Sequence, residues 1–517
     1  MESTDAAAGL TPRGAWEKGM ASKLVSLAGA RMVAQVLGLA WFLYAARAFD
    51  PGDFGILSTG LVLVVVIGGL SDLGTTRTVV RHVAAEPTGL RSNFLRAAGL
   101  RSGAGLSIGL VALILTPLVQ DDVPIGVVLA AALIAVASGV TEIGFAALRA
   151  VGLVGAEVGM LVGERLLFVA AGTAVVLTGH GPLAVLIAYA ATNTVSATVV
   201  GVRAIRWPGG HGSPAGPMLD AEGRHTAISS TLVIVGPRVS ALLLVIMSVP
   251  VLVGSFAIAQ KVPEALGTLG VAVLMPVLPM VRVAVVDGRG RVAIARAGRV
   301  TATVTAAVLP AVIFLAIDGG RVLDLLFGID DRPGSVMALR FLAVAAVVWI
   351  VRTFGELVLL AQERAARYVV AVAIAVAINV VVAVVLIPSH GAAGAAAASL
   401  VAEMVVFGLV FVALRGSVGR AVWRGFVPAA LCGVAATASS IGARGWPLAV
   451  GVVLTAIWSV AGLAMTGLPL RDRSVALDLS GSGAGSDDAD VGQEVSRDLI
   501  GDAIESVEYL SAPTDHL

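Results

Sequence analysis

The chain is built from apolar runs of about 20 residues separated by short polar breaks, the length an α-helix needs to cross the hydrocarbon core of a bilayer. A segment in lipid must satisfy its own backbone N–H and C=O groups, so each run reads as one transmembrane helix. Fourteen are legible, at 24–48, 54–70, 94–118, 125–148, 158–177, 183–205, 226–248, 252–280, 301–317, 337–361, 368–387, 392–414, 426–442 and 447–465. Hydrophobic residues fill 57% of the 517 positions and charged residues only 13%, about half the share usual in a soluble domain. Many of the 61 glycines lie inside the apolar runs, where small residues let helix backbones approach closely. The chain is expected to be an all-α polytopic membrane protein.

Charge placement orients it. With the N-terminus in the cytoplasm, the breaks after even-numbered spans should carry the basic residues. They hold Arg77, Arg81, Arg91 and Arg96, then Arg149, then Arg203, Arg206 and Arg224. The later ones hold Arg282, Arg289, Arg291 and Arg296, then Arg364 and Arg367, then Arg415, Arg420 and Arg424. The alternate breaks hold Asp50, Asp53, Asp121, Asp122, His180, Asp330 and Asp331, with Arg321, Arg332 and Arg444 as the main basic exceptions. One miscounted helix would invert the pattern beyond it, and no inversion occurs. Both termini are placed in the cytoplasm.

The Gly/Pro-rich break at 207–225 divides the spans into a six-helix lobe at 24–206 and a second at 226–415, followed by two further helices at 416–470. Residues 1–23 read as a polar cytoplasmic tail rather than a cleaved leader. Residues 471–517, with Asp487, Asp488 and Asp490, read as an acidic disordered tail. An echo links the lobes: Pro51 to Gly55 opens the second span and Pro250 to Gly254 the eighth.

An ionisable group near the bilayer centre costs at least about 2.5–3.5 kcal/mol on insertion scales, so each one inside a span needs a reason. Lys261 and Glu264 are three apart and Arg352 and Glu356 four apart, so each pair shares a helix face and can neutralise itself. Arg31 and Arg238 have no acid at such a spacing. Each must meet an acid of another helix, such as Glu142, Glu164 or Glu403, or line a wet cavity, where guanidinium groups suit a phosphate-bearing ligand. Pro237 beside Arg238 loosens the helix there. Glu142, Glu164, Glu264, Glu356 and Glu403 are candidate proton or cation sites.

Other classes find no support. The net charge of +1 gives no electrostatic case for nucleic acid, and Cys432, the single cysteine, excludes an internal disulfide or a cysteine metal site. The six histidines show no metal spacing, and there is no GxxxxGK[ST] or GxSxG motif, so neither a cofactor nor an enzymatic activity is expected.

Several segments together resemble the polysaccharide-unit flippases of the multidrug/oligosaccharidyl-lipid/polysaccharide exporter superfamily. They are Gly29 to Gly38, Ala46 to Gly55, Asp72-Leu-Gly74 with Arg77 and Arg81, Gly254 to Lys261, Asn379, and Leu386 to Pro388 with Gly391 to Gly394. The resemblance spans most of 24–414. It implies two six-helix lobes around a central cavity, alternating access, and a polyprenyl-diphosphate-linked oligosaccharide moved from the inner to the outer leaflet of a bacterial plasma membrane. The diphosphate would meet Arg31 and Arg238, with Lys261 and Arg352 in support. Membrane lipids and other polysaccharide-assembly proteins are the expected partners. A lipid II flippase and a drug/cation antiporter of the same superfamily are alternatives, as are a major facilitator transporter and a non-transporting scaffold for glycan assembly.

Overall fold

The computed structural model describes residues 12–207, 221–274, 277–286, 290–328, 334–415, 426–442 and 448–465. The expected acidic tail and most of the expected linker lie outside these residues. What is described is a multi-pass, all-helical membrane protein. The first lobe comprises α1 (Pro12–Ala48), α2 (Pro51–Ser71), α3 (Thr75–Ala85), α4 (Leu90–Val119), α5 (Ile125–Ala150), α6 (Val154–Leu177) and α7 (Pro182–Ile205). The second comprises α8 (Ala221–Val235), α9 (Val239–Met247), α10 (Pro250–Leu274), α11 (Val277–Val286), α12 (Gly290–Phe327), α13 (Ser335–Ala361) and α14 (Ala365–Ala413). Two further helices, α15 (Val427–Gly442) and α16 (Leu448–Met465), pack on α12.

Ten helices among the described residues are long and apolar enough to span a bilayer. The 49-residue α14, about 73 Å of helix, is too long for one crossing and holds two spans. It breaks at Gly391, where φ 53 and ψ −124 suit glycine alone, and Gly394 then passes so close to the Leu386 carbonyl that a Cβ would lie 2.4 Å from it. Counting both halves of α14, with α10 and the shorter α15 and α16, recovers the fourteen spans.

Two segments differ from the sequence reading. The stretch after the second span is a helix, α3, which buries Thr75, Thr76, Val79, Val80 and Val83 and leaves Arg77 and Arg81 half-buried at its edge. Its apolar residues recur at a helical period, but at 11 residues it is too short to register as a span. The seventh span is interrupted by a 3-10 turn at Gly236–Arg238, because Pro237 offers no backbone donor.

The packing is asymmetric across the membrane. We call the face at which α1 begins the basic side. On the opposite half, one hydrophobic cluster crosses both lobes, running from Trp41, Phe42 and Phe54 through Val253 and Phe256 to Phe327 and Leu339. On the basic half the core is divided: Val79, Leu90, Phe94 and Ile143 belong to the first lobe, Ile350, Phe354, Leu357 and Tyr368 to the second. Cross-lobe ties gather on the opposite side. Arg47 donates to the Leu325 carbonyl and Gln120 to the Ser248 carbonyl. Here too the two echoed motifs meet: a Cβ on Gly55 would sit 2.2 Å from the Pro250 oxygen, and one on Gly254 3.2 Å from Gly55 Cα. The lobes still touch on the basic half, where Gly69 meets Ile234 and Val235.

Candidate functional site

The second lobe encloses a cavity of about 180 Å³ lined by the α8–α9 junction, α10, α13 and both halves of α14. Its polar wall comes from Arg238, Gln260, Glu264, Arg352, Glu356, Tyr368, Asn379, Ser399 and Glu403, and Trp349, Leu342 and Val406 are among its apolar residues. Two clusters of charge face one another across it.

The first forms where the 3-10 turn sets Arg238 at the junction of α8 and α9. Its Nη2 donates to Glu264 Oε1 at 2.6 Å, and Lys261 Nζ reaches Glu264 Oε2 at 3.4 Å. One carboxylate is thus shared by two cations. Lys261 also lies 5.0 Å over the ring of Phe42, a residue of α1, so the cluster touches the first lobe. The second cluster reverses this composition. Arg352 donates through Nε to Glu403 at 2.8 Å, and through Nη1 to Glu356 at 3.1 Å and to the Tyr368 hydroxyl at 2.9 Å. One cation stands between two acids, and Glu356 Oε1 is buried with no hydrogen-bond partner among the described residues. Between the clusters, Ser240 Oγ donates to Asn379 Oδ1 at 2.7 Å and ties α9 to α14. A cation-rich wall favours an anion, and an acid-rich wall a proton or small cation.

The first lobe has two buried clusters of its own. Arg31 and Arg149 flank Glu157 at 3.8 and 3.3 Å on the basic side. Arg101 lies between Asp72, at 3.0 Å, and Glu142, and also donates to Thr76 at 2.9 Å. Asp72 accepts in turn from Thr76 Oγ1 at 2.8 Å and from the Gly74 amide at 3.1 Å. This holds the corner between α2 and α3, where Leu73 and Gly74 have φ 48 and 69.

Of the residues nominated from sequence, Arg238, Glu264, Arg352, Glu356 and Glu403 line the cavity, and Lys261 joins them through Glu264. The two pairs expected within single helices, Lys261 with Glu264 and Arg352 with Glu356, are formed. Arg31, Glu142 and Glu164 are in the first lobe and are not among the lining residues. Arg31 thus does not line the cavity that Arg238 lines. Arg31 sits near the middle of α1, in the basic-side third of the expected first span, where α6 presents Glu157, an acid just outside its own expected span. Arg238 pairs with Glu264, which the helical spacing had assigned to Lys261 alone. Glu164 stays beside Arg165 on α6, in electrostatic range of Tyr189.

Arg101, Asp72, Glu157 and Tyr368 were not nominated. Arg101 was findable, because it lies inside the third span with no acid three or four residues away, the same property that singled out Arg31. The other three sit at span ends, where polar residues are ordinary.

No family model matches the chain, and no curated protein matches it in sequence. Solved structures do match in fold, and they are membrane transporters, two of them described as members of the MOP superfamily. An outward-facing multidrug resistance MATE family transporter gives a TM-score of 0.52 at 12% identity, covering 76% of this chain and 94% of that one. A transporter of the superfamily from Pyrococcus furiosus, reported to have a binding pocket of reversed polarity, gives 0.54 at 13% identity over 76% and 94%. The lipid II flippase MurJ, in an inward closed conformation, gives 0.65 at 10% identity, covering 88% of this chain and 100% of that one. The chain has the fold of these transporters.

Proposed function

We propose that the chain is a flippase that carries a polyprenyl-diphosphate-linked oligosaccharide from the inner to the outer leaflet by alternating access. The observation that carries this reading is the pair of buried cations, Arg238 and Lys261, on one carboxylate beside the cavity. Two cations on one carboxylate leave one positive charge in excess, so one of them can turn to a phosphate while Glu264 keeps the other. The volume of about 180 Å³ is too small for an oligosaccharide. The cavity therefore takes only the charged group, while the glycan crosses between the lobes and the prenyl tail stays in lipid. Glu356 and Glu403 around Arg352 form the coupling site for a proton or cation, with Glu142 the corresponding acid of the first lobe. Carriage of lipid II is the second reading, favoured by the likeness to the whole length of a lipid II flippase.

Native mass spectra of the protein taken gently from its own membrane test this. The expected adduct has the mass of a prenyl diphosphate with sugars. It should weaken by about tenfold or more in Arg238→Ala/Lys261→Ala, since a hydrogen bond to a charged group contributes about 1.5–3 kcal/mol. A peptide-bearing mass would select lipid II. Retention of the adduct in the variant would overturn the site. Binding of a cationic small molecule in competition with protons, with no such lipid, would replace the flippase by an antiporter.

A further inference from the structure

Away from the cavity, α4 and α7 each carry a stripe of exposed apolar side chains that ends in arginine on the basic side. On α4 the stripe runs through Leu110, Leu106 and Leu95, which are 57, 55 and 45% exposed, to Arg91. On α7 it runs through Ile187, Val195 and Val202 to Arg203 and Arg206. The helices touch at this end, where a Cβ on Gly201 would sit 3.6 Å from the Phe94 ring. Leu90, Phe94 and Ala204 share one buried cluster, with Trp207 packed against it. Arg91, Arg203 and Arg206 are all exposed, and among the described residues none of them has an ion-pair partner.

We infer that this end of the α4–α7 pair docks the headgroup of an anionic phospholipid, its phosphate held by Arg91, Arg203 and Arg206. Guanidinium groups pair with phosphate in forked geometry, and basic residues at headgroup depth draw anionic lipid. The apolar stripes choose lipid over soluble phosphate, because they continue directly from the arginines into the hydrocarbon and offer a track for acyl chains. The site is separate from the cavity and does not depend on what the protein carries.

The full chain in detergent would be titrated with phosphatidylglycerol, with phosphatidylcholine and with inorganic phosphate, reading the melting temperature and the adducts kept in native mass spectra. Phosphatidylglycerol should raise the melting temperature and stay bound, more weakly at high salt. The variant Arg91→Gln/Arg203→Gln/Arg206→Gln should bind it about tenfold less well. The corresponding lysine variant should retain most of the binding, which separates loss of charge from loss of fold. Equal stabilisation by phosphatidylcholine, an equal effect of inorganic phosphate, or undiminished adducts in the glutamine variant would each overturn the assignment.

Discussion

Arg352→Ala is expected to destabilise the protein by about 3 kcal/mol, read as a fall in the thermal midpoint in detergent, because it strips the buried Glu356 and the half-buried Glu403 of their shared cation. Arg352 reaches Glu403 through Nε and both Glu356 and Tyr368 through Nη1, so no neighbour can take its place. Lysine should restore only part of the loss, since an ammonium lacks the planar fork that reaches several partners at once. The informative control is Arg352→Ala/Glu356→Gln/Glu403→Gln, which removes the charges on both sides. Much of the lost stability should return, because the cost lies in unmatched charge rather than in missing volume. A single variant as stable as the wild type would show that Arg352 is not what matches the charge of these acids.

Gly55→Leu is expected to have the largest conformational effect. Its first side-chain carbon would fall 2.2 Å from the Pro250 oxygen and 2.8 Å from the Val251 nitrogen, both of them backbone atoms that no rotamer change can move. To reach van der Waals separation α2 and α10 must part by about 1 Å at this crossing, and the leucine branches drive them further. The half of the molecule where one core joins the lobes should therefore be pushed open. Spin labels at positions 48 and 325, in a background where the single Cys432 is replaced by serine, would report a longer mean distance than in the unsubstituted protein. Export of the substrate proposed above, measured in cells, should fall to background. An unchanged distance would show that the lobes close without this contact.

Much of the architecture was legible because bilayer thickness imposes a length that survives any composition. The alternation of basic and acidic breaks supplied a second register for the count. What escaped is instructive. The helix α3 lies outside the spans, so no length rule finds it, and only its amphipathic period could. At the site, single-helix spacing reaches pairs such as Lys261 with Glu264 and no further. The partners that complete each cluster come from other helices: Glu403 for Arg352 from 51 residues away, Glu264 for Arg238 from 26, Glu142 for Arg101 from 41. Sequence can say that such a charge needs a partner, and only packing says which. The link between Pro51 to Gly55 and Pro250 to Gly254, read as an echo, gains a physical meaning once the two segments are seen to cross.

The placement of these partners also bears on how the chain enters the membrane during synthesis. A helix is inserted before those that follow it exist, so a charge whose only partner is made later must first face lipid alone. Arg352 carries Glu356 one turn away and can cross as a neutral pair, and Glu403 then arrives to complete the cluster. Lys261 likewise brings Glu264 within its own helix, although Arg238 has preceded them both. Arg101 finds Asp72 already made, and Glu142 comes afterwards. Arg31 and Arg238 must both wait for acids made later, Glu157 and Glu264, and Arg238 does so at a proline-broken turn, where the helix is least committed. Insertion of the first span thus depends on a helix made much later, and insertion of the seventh on the helix that follows it.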